Sequence, residues 1–376
     1  MTTERDRAVD ALRVVAILGV VLGHWLVTAL VVDGDAVRVA SPLRAVPGLA
    51  PASWLFQTLA LFFFVGGLVA SRPSAARRPA HRQWVSARLQ RLFRPVIVLV
   101  AVWSAIVIAA TLWAYVEPGG LATALRSHTV LKLVASPLWF LLVFAALTMA
   151  KPLVGRLHPG WPLAVVAAVD LGRFALGAPA WTGWINLAAG WLVPFCLGAA
   201  WSRGAFRSRG VAWALLAGGA GATVVLVRWF GYPVSMVGVP GQRISNLNPP
   251  TLAAVTFGVA QCGLALLLLP ALRRVMRHDG PWRTVSAVNR SAMTIFLWHQ
   301  TSLLAVSLLV PGPRAGLQTA PSDASWLFAR VLWLPGFALV LAGCWGLFHR
   351  YERQRSVAAS PAAPATAAEE ELAQVR

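Results

Sequence analysis

Residues 14–32 read VVAILGVVLGHWLVTALVV, a run in which His24 is the only ionisable side chain. A helix rises 1.5 Å per residue, so ~20 apolar residues cover the ~30 Å hydrocarbon core of a bilayer. The run predicts a membrane-spanning helix, and the pattern returns at 95–114, 250–272 and 326–348. Apolar residues make up 58% of the chain and charged residues 12%, with a mean hydropathy of +0.66. Water is the wrong solvent for such a chain.

The sequence predicts an all-α polytopic membrane bundle of about ten transmembrane helices. The spans fall near 10–32, 54–71, 95–114, 137–155, 162–179, 184–201, 211–230, 250–272, 290–310 and 326–348. Continuous apolarity favours helices over a barrel, whose strands would alternate over ~10 residues. No internal repeat is visible. The leader MTTERDRAVD is mixed in charge and the first apolar run is longer than a signal-peptide core, so a retained first helix is expected. Residues 1–355 form one membrane domain in this reading. Residues 356–376, rich in Ala and Pro and carrying Glu369, Glu370 and Glu371, read as a disordered cytoplasmic tail.

Arg and Lys mark the expected cytoplasmic side. With the N-terminus inside, the inner segments hold Arg5, Arg7, the run from Arg72 to Arg94, Lys151 and Arg156. Further inner groups are Arg203 to Arg209, Arg273 to Arg290 and Arg350 to Arg355, and the outer loops carry fewer basic residues. An even number of spans brings the C-terminus back to the cytoplasm. The formal charge of +20 is spread over short loops rather than gathered on a soluble domain, which argues for anionic membrane lipids and against nucleic acid as the partner. Cys196, Cys262 and Cys344 lie in apolar stretches without ligand spacing, so neither a disulfide framework nor a metal site is expected.

Topology does not account for the polar groups of the first helix. At 100° per residue, the 11 positions from Arg13 to His24 return to within ~20° of one face, and Asp10 lies ~60° from Arg13. The stripe carries a proton acceptor, His24, to mid-membrane depth. An Asp–Arg pair anchoring the helix end and a His satisfied by a neighbouring hydroxyl or carbonyl fit the same pattern. In SAMTIFLWHQ, His299 follows Trp298 at comparable depth and can bind substrate, assist His24 or bond between helices. In HRQWVSARLQRLFRP, Arg88 and Arg91 are neighbours on a helix face, suited to phosphate oxygens or to topology alone.

Several motifs together resemble the acyltransferase-3 family of membrane proteins, which acylate carbohydrates and other hydroxyl-bearing molecules from acyl-coenzyme A. RAVDALRVVAILGVVLGHW is similar to the family's first-helix signature, with Arg13 and His24 at its essential positions. WLFQTLALFFFVGGLVAS resembles the second helix, RLQRLFRP the Arg-x-x-Arg element, PLWFLLVF the Leu-Trp-Phe-Leu motif before the fourth span, and SAMTIFLWH the late Trp-His motif. Gly66 and Gly67 stand where many members have Ser-Gly. GQRISNLNPPTL resembles an outer-loop element, which brings Asn246, Asn248 and Thr251 toward the acceptor; helix capping explains the same residues.

The resemblance implies an O-acyltransferase of the bacterial cytoplasmic membrane, with acyl-coenzyme A, expected to be acetyl-coenzyme A, as donor and no metal. In that reading His24 is the general base on the acceptor hydroxyl, Arg13 positions the donor or stabilises charge at the carbonyl oxygen, and Asp10 orients Arg13. Arg88 and Arg91 hold the donor phosphates, and His299, Trp298 and Asn248 contact the acceptor. A proton-coupled exporter of a small molecule or lipid, using the same buried Asp, Arg and His, is the alternative.

Overall fold

The computed structural model describes residues 6–33, 36–71, 81–117, 119–154, 156–206 and 208–352. The predicted 356–376 tail and the basic residues Arg5, Arg72, Arg77, Arg78, Arg207, Arg353 and Arg355 lie outside them. The described chain is mostly helical. Its principal helices are α1 (Arg7–Val27), α2 (Leu59–Ser71), α3 (His81–Val116), α4 (His128–Ala135), α5 (Leu138–Met149) and α6 (Gly160–Phe174). They continue as α7 (Ile185–Ser202), α8 (Arg209–Trp229), α9 (Leu252–Val275), α10 (Asp279–Arg290), α11 (Ala292–Leu309) and α12 (Ala324–Phe348).

Among the described residues, nine helical segments are long and apolar enough to cross a membrane. The fifth predicted span, 162–179, is the shorter α6, whose 15 residues rise ~22 Å. Gly177 takes a left-handed φ of 71° and Pro179 follows, which ends the helix early. Contacts on either side tie α6 to α7 and α9. Just before it, the Val154 carbonyl accepts from Cys196 Sγ on α7; near its other end, the Asp170 carboxylate accepts from Leu252 N at the start of α9.

The first predicted span is also shorter than its apolar run. α1 stops at Val27, and Ala29–Asp33 (β1) pairs antiparallel with Ala36–Ala40 (β2). Thr28, Val31 and Val32 are β-branched, and they favour a strand once the helix is capped. The predicted fourth span begins earlier than expected, because α4 and α5 together run from His128 to Met149.

Polar contacts tie both ends of the described chain to neighbouring helices. Asp6 pairs with Arg273 at 2.8 Å, and Asp10 Oδ1 accepts from Asn289 Nδ2 at 2.9 Å. Glu352 accepts from the backbone N–H groups of Met293 and Thr294, each at 3.0 Å, in the first turn of α11.

Two features fit a lipid surround. Large apolar side chains such as Ile97, Leu112, Leu332 and Leu339 face outward, and the helices of the core approach closely through small residues. Gly67 lies against the Phe195 backbone and Gly198 against the Phe64 backbone, so α2 and α7 cross nearly in main-chain contact. Phe63, Phe64, Phe140, Phe195 and Leu297 fill the centre of this core.

Candidate active site

α1 carries the first polar residues of the site. Asp6 caps it, accepting from Ala8 N at 3.1 Å, and one turn later Asp10 is held by Asn289. Arg13 then reaches a cavity of about 870 Å³ at this end of the bundle, lined also by Arg88, Arg91, Asn289, Arg290 and Glu352. Arg88 and Arg91, three residues apart on α3, line it together as the sequence spacing predicts. Four guanidinium groups against one carboxylate make a strongly cationic wall, suited to phosphate oxygens in paired hydrogen bonds.

Glu352 was not singled out from the sequence. Its Oε2 also accepts from Thr294 Oγ1 at 2.8 Å, so it caps α11 from 58 residues away. Burial pushes its carboxyl above the ordinary glutamate value, against the opposing effects of the Met293 and Thr294 donors and of Arg13.

The other end of α1 carries His24, which lines a second cavity of about 260 Å³. Thr28, Ser41, Ser53, Gln57, Ser136 and Trp139 contribute to its wall, with Val237, Gly238, Pro240 and Leu247 of the loop after α8. That loop is tied down by buried Asn246, whose Nδ2 donates to the Pro233 and Ser235 carbonyls and whose Oδ1 accepts from Thr251 Oγ1.

Gln300 orients His24. Its Nε2 lies 3.0 Å from His24 Nδ1 and 3.3 Å from Ser136 Oγ, while its Oε1 is buried without a partner. The two ends of an amide are nearly isosteric, so Gln300 offers His24 two arrangements. With Nε2 on His24, Nδ1 is the acceptor and the ring proton sits on Nε2. With Oε1 there instead, Nδ1 carries the proton and Nε2 is bare.

Behind His24 lies His299, fully buried, with ring centroids 5.1 Å apart. His299 Nδ1 bonds to the Phe296 carbonyl, which places its proton on Nδ1 and leaves a bare, buried Nε2.

Aromatic rings run between the two cavities. Arg13 lies 5.4 Å from the Phe62 ring, Phe62 4.9 Å from Phe140, Phe140 5.1 Å from Phe296, Phe296 5.9 Å from His299, and His299 beside His24. Phe144, 5.0 Å from Phe62, closes the wall on the cationic side.

Two residues expected to contact the acceptor do not line the His24 cavity. Trp298 stacks on Phe348 with centroids 4.0 Å apart and lines neither cavity. It is the neighbour of His299 on α11, and a 100° step turns it to a different face. Asn248 is exposed, while its neighbour Leu247 lines the His24 cavity. Among the described residues, no three His, Cys, Asp or Glu side chains converge as metal ligands.

Arg13, His24, Arg88, Arg91, Phe140 and His299, from α1, α3, α5 and α11, thus line the two cavities or pack between them. The family model described as an acyltransferase domain, that of acyltransferase-3, matches residues 6–349. The chain belongs to the acyltransferase-3 family. No curated protein and no solved structure matches it. As a family member it is a multi-pass membrane acyltransferase. The match runs from just before α1 to just after α12 and takes in every residue lining the two cavities except Glu352.

Proposed function

We propose that this acyltransferase moves an acyl group, acetyl in the simplest case, from cytoplasmic acyl-coenzyme A to a hydroxyl group of a carbohydrate, a lipid-linked molecule or a secreted small molecule. The observation that carries the reading is the pairing of a cationic cavity at Arg13 with a His24 cavity 11 residues further along one helix. That spacing is about 16 Å of rise, comparable to an extended pantetheine arm.

The donor's phosphates sit against Arg88 and Arg91, and its arm passes the rings of Phe62 and Phe140 to bring the thioester to His24. Of the two roles the sequence leaves for Arg13, the separation favours gripping the donor over stabilising the carbonyl oxygen. Asp10, held by Asn289, fixes the base of the same wall. The cationic end of the bundle faces the cytoplasm in this reading, consistent with the Arg-rich segments that gather there.

The reacting arrangement has Gln300 Oε1 accepting from His24 Nδ1–H, with the Ser136 hydroxyl turned to donate to the same oxygen. The bare Nε2 takes the proton of the acceptor hydroxyl as its oxygen attacks the thioester carbon. The tetrahedral intermediate collapses with cleavage of the C–S bond, and the imidazolium returns the proton to the departing thiolate. An obligatory acyl group trapped on His24 would contradict this direct attack.

Titration of coenzyme A into the purified protein tests the donor half. The wild type is expected to bind, and Arg88→Ala and Arg91→Ala each to weaken binding about tenfold, more at low salt than at high. Absence of coenzyme A affinity in the folded wild type would favour an exporter.

A further inference from the structure

Arg330, on α12, is wholly buried in the apolar core. A charge in such a place is costly and persists only where its donors are satisfied. All three of its nitrogens donate to main-chain carbonyls: Nε to Trp25 at 2.6 Å, one terminal nitrogen to Gly316 at 2.7 Å and the other to Thr28 at 2.5 Å. Trp25 and Thr28 are at the C-terminal end of α1, where the last carbonyls of a helix lack helical partners and the helix dipole is negative. Both residues are themselves buried, so water does not replace the arginine.

The first of these carbonyls belongs to the residue after His24. The Trp25 indole Nε1 donates to the His299 carbonyl at 3.0 Å, and its ring packs 5.6 Å from Phe337. The Arg330 guanidinium lies 4.6 Å over that same Phe337 ring and 5.6 Å from Trp326. Gly316, at φ 79°, lets its loop approach, since an added Cβ would come within 2.5 Å of Arg330 N. A planar group with several fixed donors meets these carbonyls; the single nitrogen of a lysine does not meet them all.

We infer that Arg330 is a positioning residue for acyl transfer: by holding the last turn of α1 against the loop at Gly316, it fixes the direction in which His24 faces its cavity. The inference rests on the reading of His24 as the base. Arg330 touches neither cavity, so it acts on the proton-transfer step and not on donor binding.

The test uses full-length protein purified as a monodisperse species, with acetyl-coenzyme A as donor and a total glycan and lipid extract of the source strain as the acceptor mixture. Release of free coenzyme A thiol is the readout, per mole of monodisperse protein. Arg330→Lys is expected to lower kcat at least tenfold while KM for acetyl-coenzyme A stays within about twofold, because the cationic cavity is at the other end of α1. Arg330→Gln, which keeps a donor without the charge, is expected to show the same split.

Wild-type kcat in either variant, or a fall in kcat matched by a rise in KM, would overturn the inference. Failure of both variants to yield monodisperse protein would also overturn it, by showing Arg330 to be a folding determinant. His24→Ala in the same assay separates the two readings. If His24→Ala turns over like wild type, the base assignment fails whatever Arg330→Lys does; if it is inactive and Arg330→Lys is not, the positioning role alone fails.

Discussion

Arg13 and His24 share one side of α1 yet line two different cavities, with the rings of Phe62, Phe140 and Phe296 linking one to the other. The helix thus serves as a ruler. Its pitch sets how far the cationic wall stands from the imidazole, and the ring contacts set what fills the space between.

Gln300 selects the tautomer of His24 in this account, so its substitution should act on kcat. Gln300→Leu is expected to lower the transfer rate about tenfold to a hundredfold with little change in KM for the donor. Gln300→Glu should retain more activity but shift its pH dependence. A carboxylate beside Nδ1–H favours the imidazolium, so the acid limb of the pH–rate profile should move to higher pH. Rates measured between pH 5 and 9 check the direction, and an unmoved limb in active protein would separate Gln300 from the titrating group.

The glycine pair of α2 should respond unequally. A Cβ on Gly66 would lie 2.5 Å from Phe144 Cε2, the edge of a side chain that can give way, whereas one on Gly67 would run into the Phe195 backbone of α7. Gly66→Ser is therefore expected to cost about 1–3 kcal/mol as overpacking, and to recover with Phe144→Leu. Gly67→Ala should leave little folded protein. Thermal melting of detergent-solubilised variants, with yield after size exclusion, measures both.

Asp323 caps α12, the helix that carries Arg330. The Ser325 hydroxyl, then the backbone N–H groups of Trp326 and Ser325, hold its carboxyl below the ordinary carboxylate value. A depressed folded-state value means that its contribution to stability is full above about pH 4 and is lost as pH falls through the folded value. Asp323→Asn keeps a good cap without the charge, so the wild-type advantage over it should shrink on acidification. Melting curves from pH 6 to pH 3 test the sign, and a gap that widens toward low pH would contradict it.

Much of the site was legible because ionisable residues in apolar runs are few. Arg13 and His24 stand out in α1 and their spacing places them on one side, while Arg88 and Arg91 sit at helical-neighbour spacing and do line one cavity. What the chain does not write in one dimension is which side of a buried helix meets which partner. Trp298 and His299 are adjacent in sequence but step apart around α11, and only one of them lies near His24. Ser136, Gln300 and Glu352 reach their partners across 164, 276 and 58 residues, a proximity that helix packing alone decides. Arg330 left a clearer trace, as the lone charge in the apolar run 326–348. Its partners Trp25 and Thr28 lie where α1 ends ahead of the strand pair, an ending that the continuous apolarity of 14–32 concealed.

The most direct test of His24 as the base compares glycans, lipids and secreted small molecules by mass spectrometry, in a deletion strain complemented with wild type or with His24→Ala at matched expression. An acylated species should vanish on deletion, return with the wild type and stay at least a hundredfold lower with His24→Ala. Equal restoration by His24→Ala would show that another group takes the proton.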